Sequence, residues 1–199
     1  MSTLAPFDNA PPANQVSPAT EATQSYLRAT KTALDAIVAA VTALEWGDPP
    51  APAFARVELF DDLDLVEAFK RLLITESRIA LVIYSDESFS TERDGRQLIV
   101  RRQHRLWVLF TDRVIGKRTD ALLGTDTNPG LFVLRDLILP AITKVVVDSP
   151  QKVYCTPVNG SLLRVEDNER KLPGRLAYSL ECQLDGGYLL ADLGRSPIV

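Results

Sequence analysis

The sequence is poor in the residues that most enzyme sites use. Its 199 residues include one histidine, His104, and two cysteines, Cys155 and Cys182. A structural zinc site of the usual kind needs about four cysteine or histidine ligands, and this chain has only these three. A catalytic dyad or triad built on histidine would have to use His104. The scarcity argues against most familiar enzyme chemistry, and we expect a non-enzymatic protein with no metal, no cofactor and no catalytic residue.

Phosphate-binding and export signals are absent as well. No glycine cluster matches a dinucleotide fingerprint or a P-loop, in which a glycine-rich turn leads into a helix. The first nine residues lack the basic and apolar regions of a signal peptide. The longest uninterrupted apolar stretch, residues 36–41, is far shorter than the ~20 residues that cross a bilayer. We expect a protein of a reducing cytoplasm without a membrane partner, whose two cysteines are small buried hydrophobes.

The charge balance is mildly acidic. Twenty-two Lys and Arg face 26 Asp and Glu, a formal net charge of −4. This argues against a protein that works mainly by neutralising phosphates, although it leaves room for a local basic face. With 46% hydrophobic and 24% charged residues, the composition is that of a globular protein. We expect a flexible Pro-rich leader over residues 1–16, a single domain over 17–190 and a short tail over 191–199.

The first predicted helix covers residues 17–46. Ser17 is a suitable N-cap, Pro18 fits the first helical position, and the Gly-Asp-Pro-Pro of residues 47–50 ends the helix. The apolar residues of the predicted helix form a narrow seam, made by Leu27, Leu34, Ile37, Val41 and Leu44. Thr30 occupies the one position of this seam that is not apolar. Such a seam suits a helix that covers its own core, or one that contacts a neighbouring subunit.

The remaining pattern predicts an α+β fold. We expect strands over 55–60, 78–84, 97–111, 152–166 and 175–184, and helices over 64–73 and 131–139, the second ended or kinked by Pro140. Residues 86–96 are polar and predict a loop at a hairpin tip, and residues 112–130 predict an irregular linker. The order α, β, α, β, β, α, β, β indicates one mixed, mostly antiparallel sheet with a long N-terminal helix and two further helices packed on it.

The most basic stretch lies in the middle of the 97–111 strand. Because side chains alternate along a strand, one face would carry Arg101, Gln103 and Arg105. Arg102 and His104 would share the other face. Three interpretations stay open: a subunit interface or channel lining, a plain solvated face, or a nucleic-acid site. Against the last, no exposed aromatic is interleaved for base stacking, and the flanking Trp107 and Leu109 are typical of core.

The predicted 86–96 loop supplies the other candidate contact residues. It carries Glu87, Glu92, Arg93 and Asp94 and is longer than a tight turn requires. Functional loops often have this length, although many long loops are merely tolerated. We therefore group these four residues with Arg101, Arg102, Gln103 and Arg105 as candidates for an interface or channel surface.

One cluster of charges suggests an enzyme as the alternative. Glu166, Asp167, Glu169 and Lys171 are similar to the acidic and lysine residues of metal-dependent nucleases, which hold Mg²⁺ between carboxylates. The cluster falls in a predicted hairpin turn beside Pro173. A charged, solvated turn explains the same composition.

The order of elements resembles that of the tail-terminator or tail-completion proteins found at the neck of long-tailed phages. The resemblance covers residues 22–185. It rests on the Pro-punctuated break after the first helix, the run 81–84 (LVIY), the alternating run 105–110 (RLWVLF), residues 130–140, the run 153–155 (VYC) and the run 177–180 (AYSL). The Pro-rich leader and the predicted 86–96 loop depart from the family pattern.

The resemblance implies a structural virion protein without catalytic residues. Members of the family form homo-oligomeric rings, hexamers as a rule, that cap the tail tube and join it to head-completion proteins of the neck. DNA passes through the ring only as cargo. The resemblance therefore implies three partners, namely copies of the same chain, a tail tube protein and a head-completion or neck protein. It places the protein in the virion, after assembly in the host cytoplasm. The other alternative is a scaffold or adaptor module unrelated to phages.

Overall fold

The computed structural model describes the backbone of residues 18–60, 78–94, 97–112, 118–149, 151–167 and 172–192. Within these residues the chain forms three helices and eight strands. The helices are α1 (Pro18–Thr42), α2 (Arg118–Leu123) and α3 (Gly130–Thr143). The strands are β1 (Glu45–Trp46), β2 (Ala51–Pro52), β3 (Arg56–Phe60), β4 (Ile79–Asp94), β5 (Gln97–Thr111), β6 (Val146–Ser149), β7 (Gln151–Asp167) and β8 (Leu172–Asp192).

Six of the strands form one mixed sheet in the order β3-β4-β5-β8-β7-β6. β3 and β4 are parallel, while the other four neighbouring pairs are antiparallel. β1 and β2 form a separate two-stranded hairpin. The predicted α+β class with a mixed sheet is confirmed.

The main core lies between the sheet and helices α1 and α3. On α1 the seam residues Ile37 and Val41 and the neighbouring Ala33 have no exposed surface, and on α3 the same holds for residues such as Leu134 and Ile138. They pack against every second residue of the central strands, namely Ala80, Val82, Leu106, Val108 and Phe110. The seam of α1 therefore covers the protein's own core, as one of the two interpretations of the sequence predicts.

A second, smaller core lies on the other face of the sheet. It consists of the alternate residues of the same strands, Phe60, Ile79, Leu81, Ile83, Leu109 and Ala177. Residues 79–83 are buried on both faces, as expected for a dense β-branched run in a central strand. The two faces of the sheet differ in the helices that pack on them. No residue of α1, α2 or α3 belongs to this second cluster.

The predicted C-terminal end of the first helix, at Trp46, was wrong. α1 ends at Thr42, and Glu45–Trp46 pairs instead with Ala51–Pro52. The backbone N–H of Ala53 donates to the carbonyl of Leu44 at 2.7 Å and fixes this hairpin against the helix end. The glycine and prolines of residues 47–50 thus form a turn, in which Gly47 has φ +100°.

The predicted loop at 86–96 was also wrong. β4 continues as a strand through Asp94, with a β-bulge between Tyr84 and Asp86. Most of the described side chains after the bulge are exposed. Because neither face of this segment is covered by a core, polar residues can occupy both faces of the strand. A prediction based on hydrophobic periodicity has no signal in such a segment.

Three smaller differences concern the second half of the chain. The predicted linker 112–130 contains α2, and β6 was not predicted. α3 runs past Pro140 to Thr143, whose hydroxyl donates to the carbonyl of Leu139 at 3.0 Å. β7 and β8 reach beyond their predicted bounds at both ends. The leader, the Ser17 cap and the predicted helix 64–73 lie outside the described residues.

The connection between α2 and α3 is a tight turn closed by two glycines. Gly124 and Gly130 have φ of +87° and +73°. The N–H of Gly124 donates to the carbonyl of Asp120 at 2.9 Å, and Thr125 and Asn128 exchange backbone hydrogen bonds of 2.8 and 3.2 Å. A Cβ on Gly124 would collide with the carbonyl of Pro129. This turn sets the orientation of α2 relative to α3, which follows it in the chain.

We predict that Gly124→Ala lowers the free energy of unfolding by about 3 kcal/mol or more, because the new Cβ meets backbone and φ is positive. Gly47→Ala is the matched control. It has the same kind of φ, but its nearest contact is 3.5 Å away, so it should cost only about 1–2 kcal/mol. Urea unfolding of both variants measures the difference. Equal costs would contradict the close approach at Gly124.

Candidate functional site

Three strands extend beyond the rest of the sheet. β3 pairs with β4 only as far as Ile83, and β7 pairs with β8 only as far as Asp185. Beyond these points β4, β5 and β8 pair only with one another among the described strands. We call this extension, residues 86–94, 97–105 and 185–192, the β arm.

All eight residues that we predicted from the sequence to form an interface or channel surface lie in the β arm. Glu87, Glu92, Arg93 and Asp94 lie on β4, and Arg101, Arg102, Gln103 and Arg105 lie on β5. Two stretches that are separate in the sequence thus lie on adjacent, paired strands, and their side chains alternate between the two faces of the arm. The side chains of Arg93, Asp94, Arg101 and Arg102 lie outside the described part of the structure.

The described charges of the β arm are solvated. Arg105 lies opposite Asp86 in the register, and its Nε is 4.0 Å from an Asp86 carboxylate oxygen. Both side chains are more than half exposed, so the pair contributes about 1 kcal/mol or less to stability. Its charges remain accessible to a binding partner.

The β arm also exposes an aromatic residue that the sequence analysis missed. Phe89 is 55% exposed and lies opposite Arg102 in the register. The sequence prediction concerned only aromatics interleaved within the basic stretch itself, whereas Phe89 approaches that stretch from the neighbouring strand. Trp107, predicted as core, is only partly buried, whereas Leu109 is buried as predicted.

His104 lies at the base of the β arm and is 3% exposed. The hydroxyl of Tyr84 is 2.7 Å from its Nδ1, and the hydroxyl of Thr30 on α1 is 3.4 Å from its Nε2. A Glu87 carboxylate oxygen is 3.8 Å from Nδ1. Thr30 occupies the polar slot of the α1 seam because it faces this imidazole.

This arrangement gives His104 a structural role. Both ring nitrogens face hydroxyl groups, and a buried polar group needs such partners to offset its lost hydration. The contacts link α1 to β4 and β5 at the point where the sheet core ends. The imidazole is enclosed, so it does not face solvent as a general base for an external substrate would.

The pKa of Tyr84 lies above its usual value of 10.0. Burial disfavours the phenolate, and the carboxylates of Glu87 and Asp86 disfavour it further. The folded protein therefore holds the phenolic proton more tightly than the unfolded chain does. This contribution to stability is complete below pH 10 and is lost as the pH rises through the folded pKa.

We predict that Tyr84→Phe reduces the alkaline loss of stability. At pH 8 the variant should lose about 1–3 kcal/mol, because His104 Nδ1 loses its partner. Between pH 10 and 11 its free energy of unfolding should fall less than that of the parent. Urea unfolding across this pH range measures both effects. Tyr154→Phe, at an exposed position, is the control and should follow the parent.

The two cysteines are free and buried, as predicted. Cys155 on β7 lies opposite Leu184, and Cys182 on β8 lies opposite Pro157, so the two thiols are diagonal neighbours across the strand pair. A hydrogen bond from the Cys182 thiol to Cys155, together with burial, raises the pKa of Cys182. A raised pKa suppresses the thiolate, which is the nucleophilic form.

We predict that neither thiol reacts with an aromatic disulfide reagent in the native state at pH 8. Labelling should be slower by about 100-fold or more than in urea-unfolded protein, because it requires opening of the sheet. The rate should rise with urea in parallel with unfolding. Rapid labelling in native buffer would contradict the buried placement.

A depression of about 320 Å³ lies on the face of the sheet opposite α1 and α3. We call it the sheet pocket. It spans β5, β8 and β7 and is lined by Trp107, Leu109, Asn159, Ser161, Leu163, Ser179 and Glu181. Its size is at the lower end of the range for ligand pockets, about 300–1,000 Å³. No sequence pattern predicts this pocket, because its residues come from three different strands.

The nuclease-like residues are not brought into a described site. Glu166 and Asp167 end β7, and Glu169 and Lys171 fall in the β7–β8 connection, outside the described residues. The side chains of Glu166 and Asp167 are likewise outside the described part. Among the side chains that are described, no group of three His, Cys, Asp or Glu residues is placed to hold a metal ion.

Comparison with known proteins identifies no relative. No protein-family model matches the chain, and no curated protein matches its sequence. Within the residues that the structure describes, no helix has both the length and the apolar character needed to cross a membrane.

Proposed function

We propose that the chain is a structural assembly protein of a long-tailed phage or prophage. In this role it caps the tail tube as a ring and joins the tube to the proteins of the neck. The ring consists of copies of this chain, with a hexamer as the expected form. The protein is then part of the virion, and DNA passes through it as cargo.

The observation that carries the proposal is the β arm. It is an extension of at least nine residues on β4, paired with β5 and β8, with charged residues on β4 and β5, and none of its described side chains belongs to either hydrophobic core. Paired strands give such an extension a fixed direction, which a polar loop of the same length does not have. A fixed, charged projection is suited to contact a neighbouring subunit or to line a channel.

The use of the reactive residues supports the same function. His104 links α1 to the sheet, and Cys155 and Cys182 contact each other inside the core. The single histidine and both cysteines are thus engaged in packing and hydrogen bonds. Within the part of the chain that the structure describes, the β arm and the sheet pocket offer exposed groups for contact with a partner.

The proposal predicts that the purified chain forms closed rings that bind tail tubes. Mass measurement by light scattering and negative-stain images test the ring. Co-sedimentation with tail tubes of the encoding phage or prophage tests the cap. A strict monomer that also fails to bind tubes would sink the proposal.

A second experiment separates the two roles of the β arm. The double variant Arg101→Glu with Arg105→Glu reverses charge on β5, and Lys31→Glu on the exposed side of α1 is the control. If the β arm is a subunit interface, the double variant should weaken ring formation by about tenfold or more. If it lines the channel, rings should form normally while DNA passage is impaired.

A further inference from the structure

The sheet pocket combines an aromatic wall, an apolar floor and one carboxylate. Trp107, Leu109 and Leu163 provide the apolar surface, and Ser161, Ser179 and Asn159 add neutral polar groups. Glu181 is the single charged residue of the lining and is partly buried. The Glu181 side chain forms no ion pair or hydrogen bond with the described residues.

This combination is suited to an arginine or lysine side chain. The carboxylate of Glu181 attracts a cation, and the indole of Trp107 forms no ring contact within the described part of the chain. An aromatic face binds a cation with a strength of about 0.5–2 kcal/mol, and a guanidinium also stacks flat on it. The apolar floor accommodates the aliphatic stem of such a side chain.

The chain itself carries a matching surface on α2. Arg118 and Thr119 are exposed, and Leu123 on the same short helix is 66% exposed, the most exposed large hydrophobic side chain described. Arg118 has no ion pair in the part of the chain that the structure describes. α2 therefore carries an exposed cation, which the sheet pocket complements in charge.

Four other described cations are engaged within the chain. Lys31 pairs with Asp35, Arg56 with Glu58, and Arg135 with Asp136. Arg78 lies over the ring of Trp46. Lys144, at the end of α3, is exposed and also has no ion pair among the described residues, but a lysine ammonium does not stack as a guanidinium does.

We propose that the sheet pocket binds α2 of a second copy of this chain, with Arg118 placed between Glu181 and Trp107. The proposal rests on the proposed ring and assigns its contact surfaces. α2 belongs to the helical side of the molecule, since it packs against α3, while the sheet pocket lies on the opposite face. The contact is therefore heterologous, and repetition of such a contact closes a ring when the rotation permits.

The glycine turn after α2 favours this contact. Gly124 and Gly130 hold α2 in one orientation relative to α3. A preformed contact element loses little conformational entropy on binding.

Three variants, each of which replaces one charged side chain by glutamine, test the contact. Glu181→Gln and Arg118→Gln should each weaken self-association by about tenfold or more, measured by analytical ultracentrifugation, because each leaves its charged partner unpaired. Lys144→Gln removes an exposed cation outside the contact and should associate like the parent. The charge-exchanged double variant Glu181→Arg with Arg118→Glu should recover association. Circular dichroism checks that each variant is folded.

A mixing experiment tests the heterologous geometry. Glu181→Gln retains an intact α2, and Arg118→Gln retains an intact pocket, so an equimolar mixture has one unmodified contact. The mixture should form pairs of one chain of each variant at concentrations where each alone is monomeric.

The outcomes separate the two proposals. If the parent forms rings that bind tubes, but Glu181→Gln and Arg118→Gln associate like Lys144→Gln, the ring stands and the α2 contact is overturned. If the mixture forms no pairs, the α2 contact is likewise overturned. If the parent stays monomeric at every concentration and does not bind tubes, both proposals are overturned.

Discussion

The structure depends on the pairing of β5 along its whole length. Each of its fifteen residues has a partner on β4 or β8, and most have partners on both. One continuous strand therefore passes from the core, where Phe110 and Val108 have no exposed surface, to the solvated β arm. Residues with very different environments are held in one register, and a shift by one residue would move every side chain to the opposite face.

The sequence predicts well those parts of the fold that have a strong hydrophobic period. α1 and the strands at 56–60, 79–83 and 97–111 follow from apolar spacing and from β-branched residues. The prediction failed where the period vanishes or where tertiary contacts decide. β4 beyond Tyr84 is polar on both faces, and α2 is too short to show a helical period. The hairpin of β1 and β2 has strands of only two residues each, which are too short to show a period, and a hydrogen bond from Ala53 to Leu44 closes it.

The candidate site was predictable only in part. The charges on β4 and β5 were found from composition, but their pairing required the register, which a polar strand does not reveal. The sequence analysis noted Thr30 as an exception in an apolar seam, and the partner that explains it is 74 positions away. The sheet pocket was out of reach for the same reason, because Trp107, Asn159 and Glu181 meet only through the order β5-β8-β7. Local sequence indicates which residues are exceptional, whereas topology determines what they contact.

The outer side of β7 has a further consequence. β6 pairs with β7 only through Tyr154, so most of that long strand has no neighbour on its outer side among the described strands. Pro157, which lacks an N–H, and the irregularity between Pro157 and Asn159 interrupt this edge. Such interruptions hinder the addition of strands from other molecules, which is how amyloid-like fibres grow. An edge interrupted in this way is protected from open-ended aggregation by strand addition.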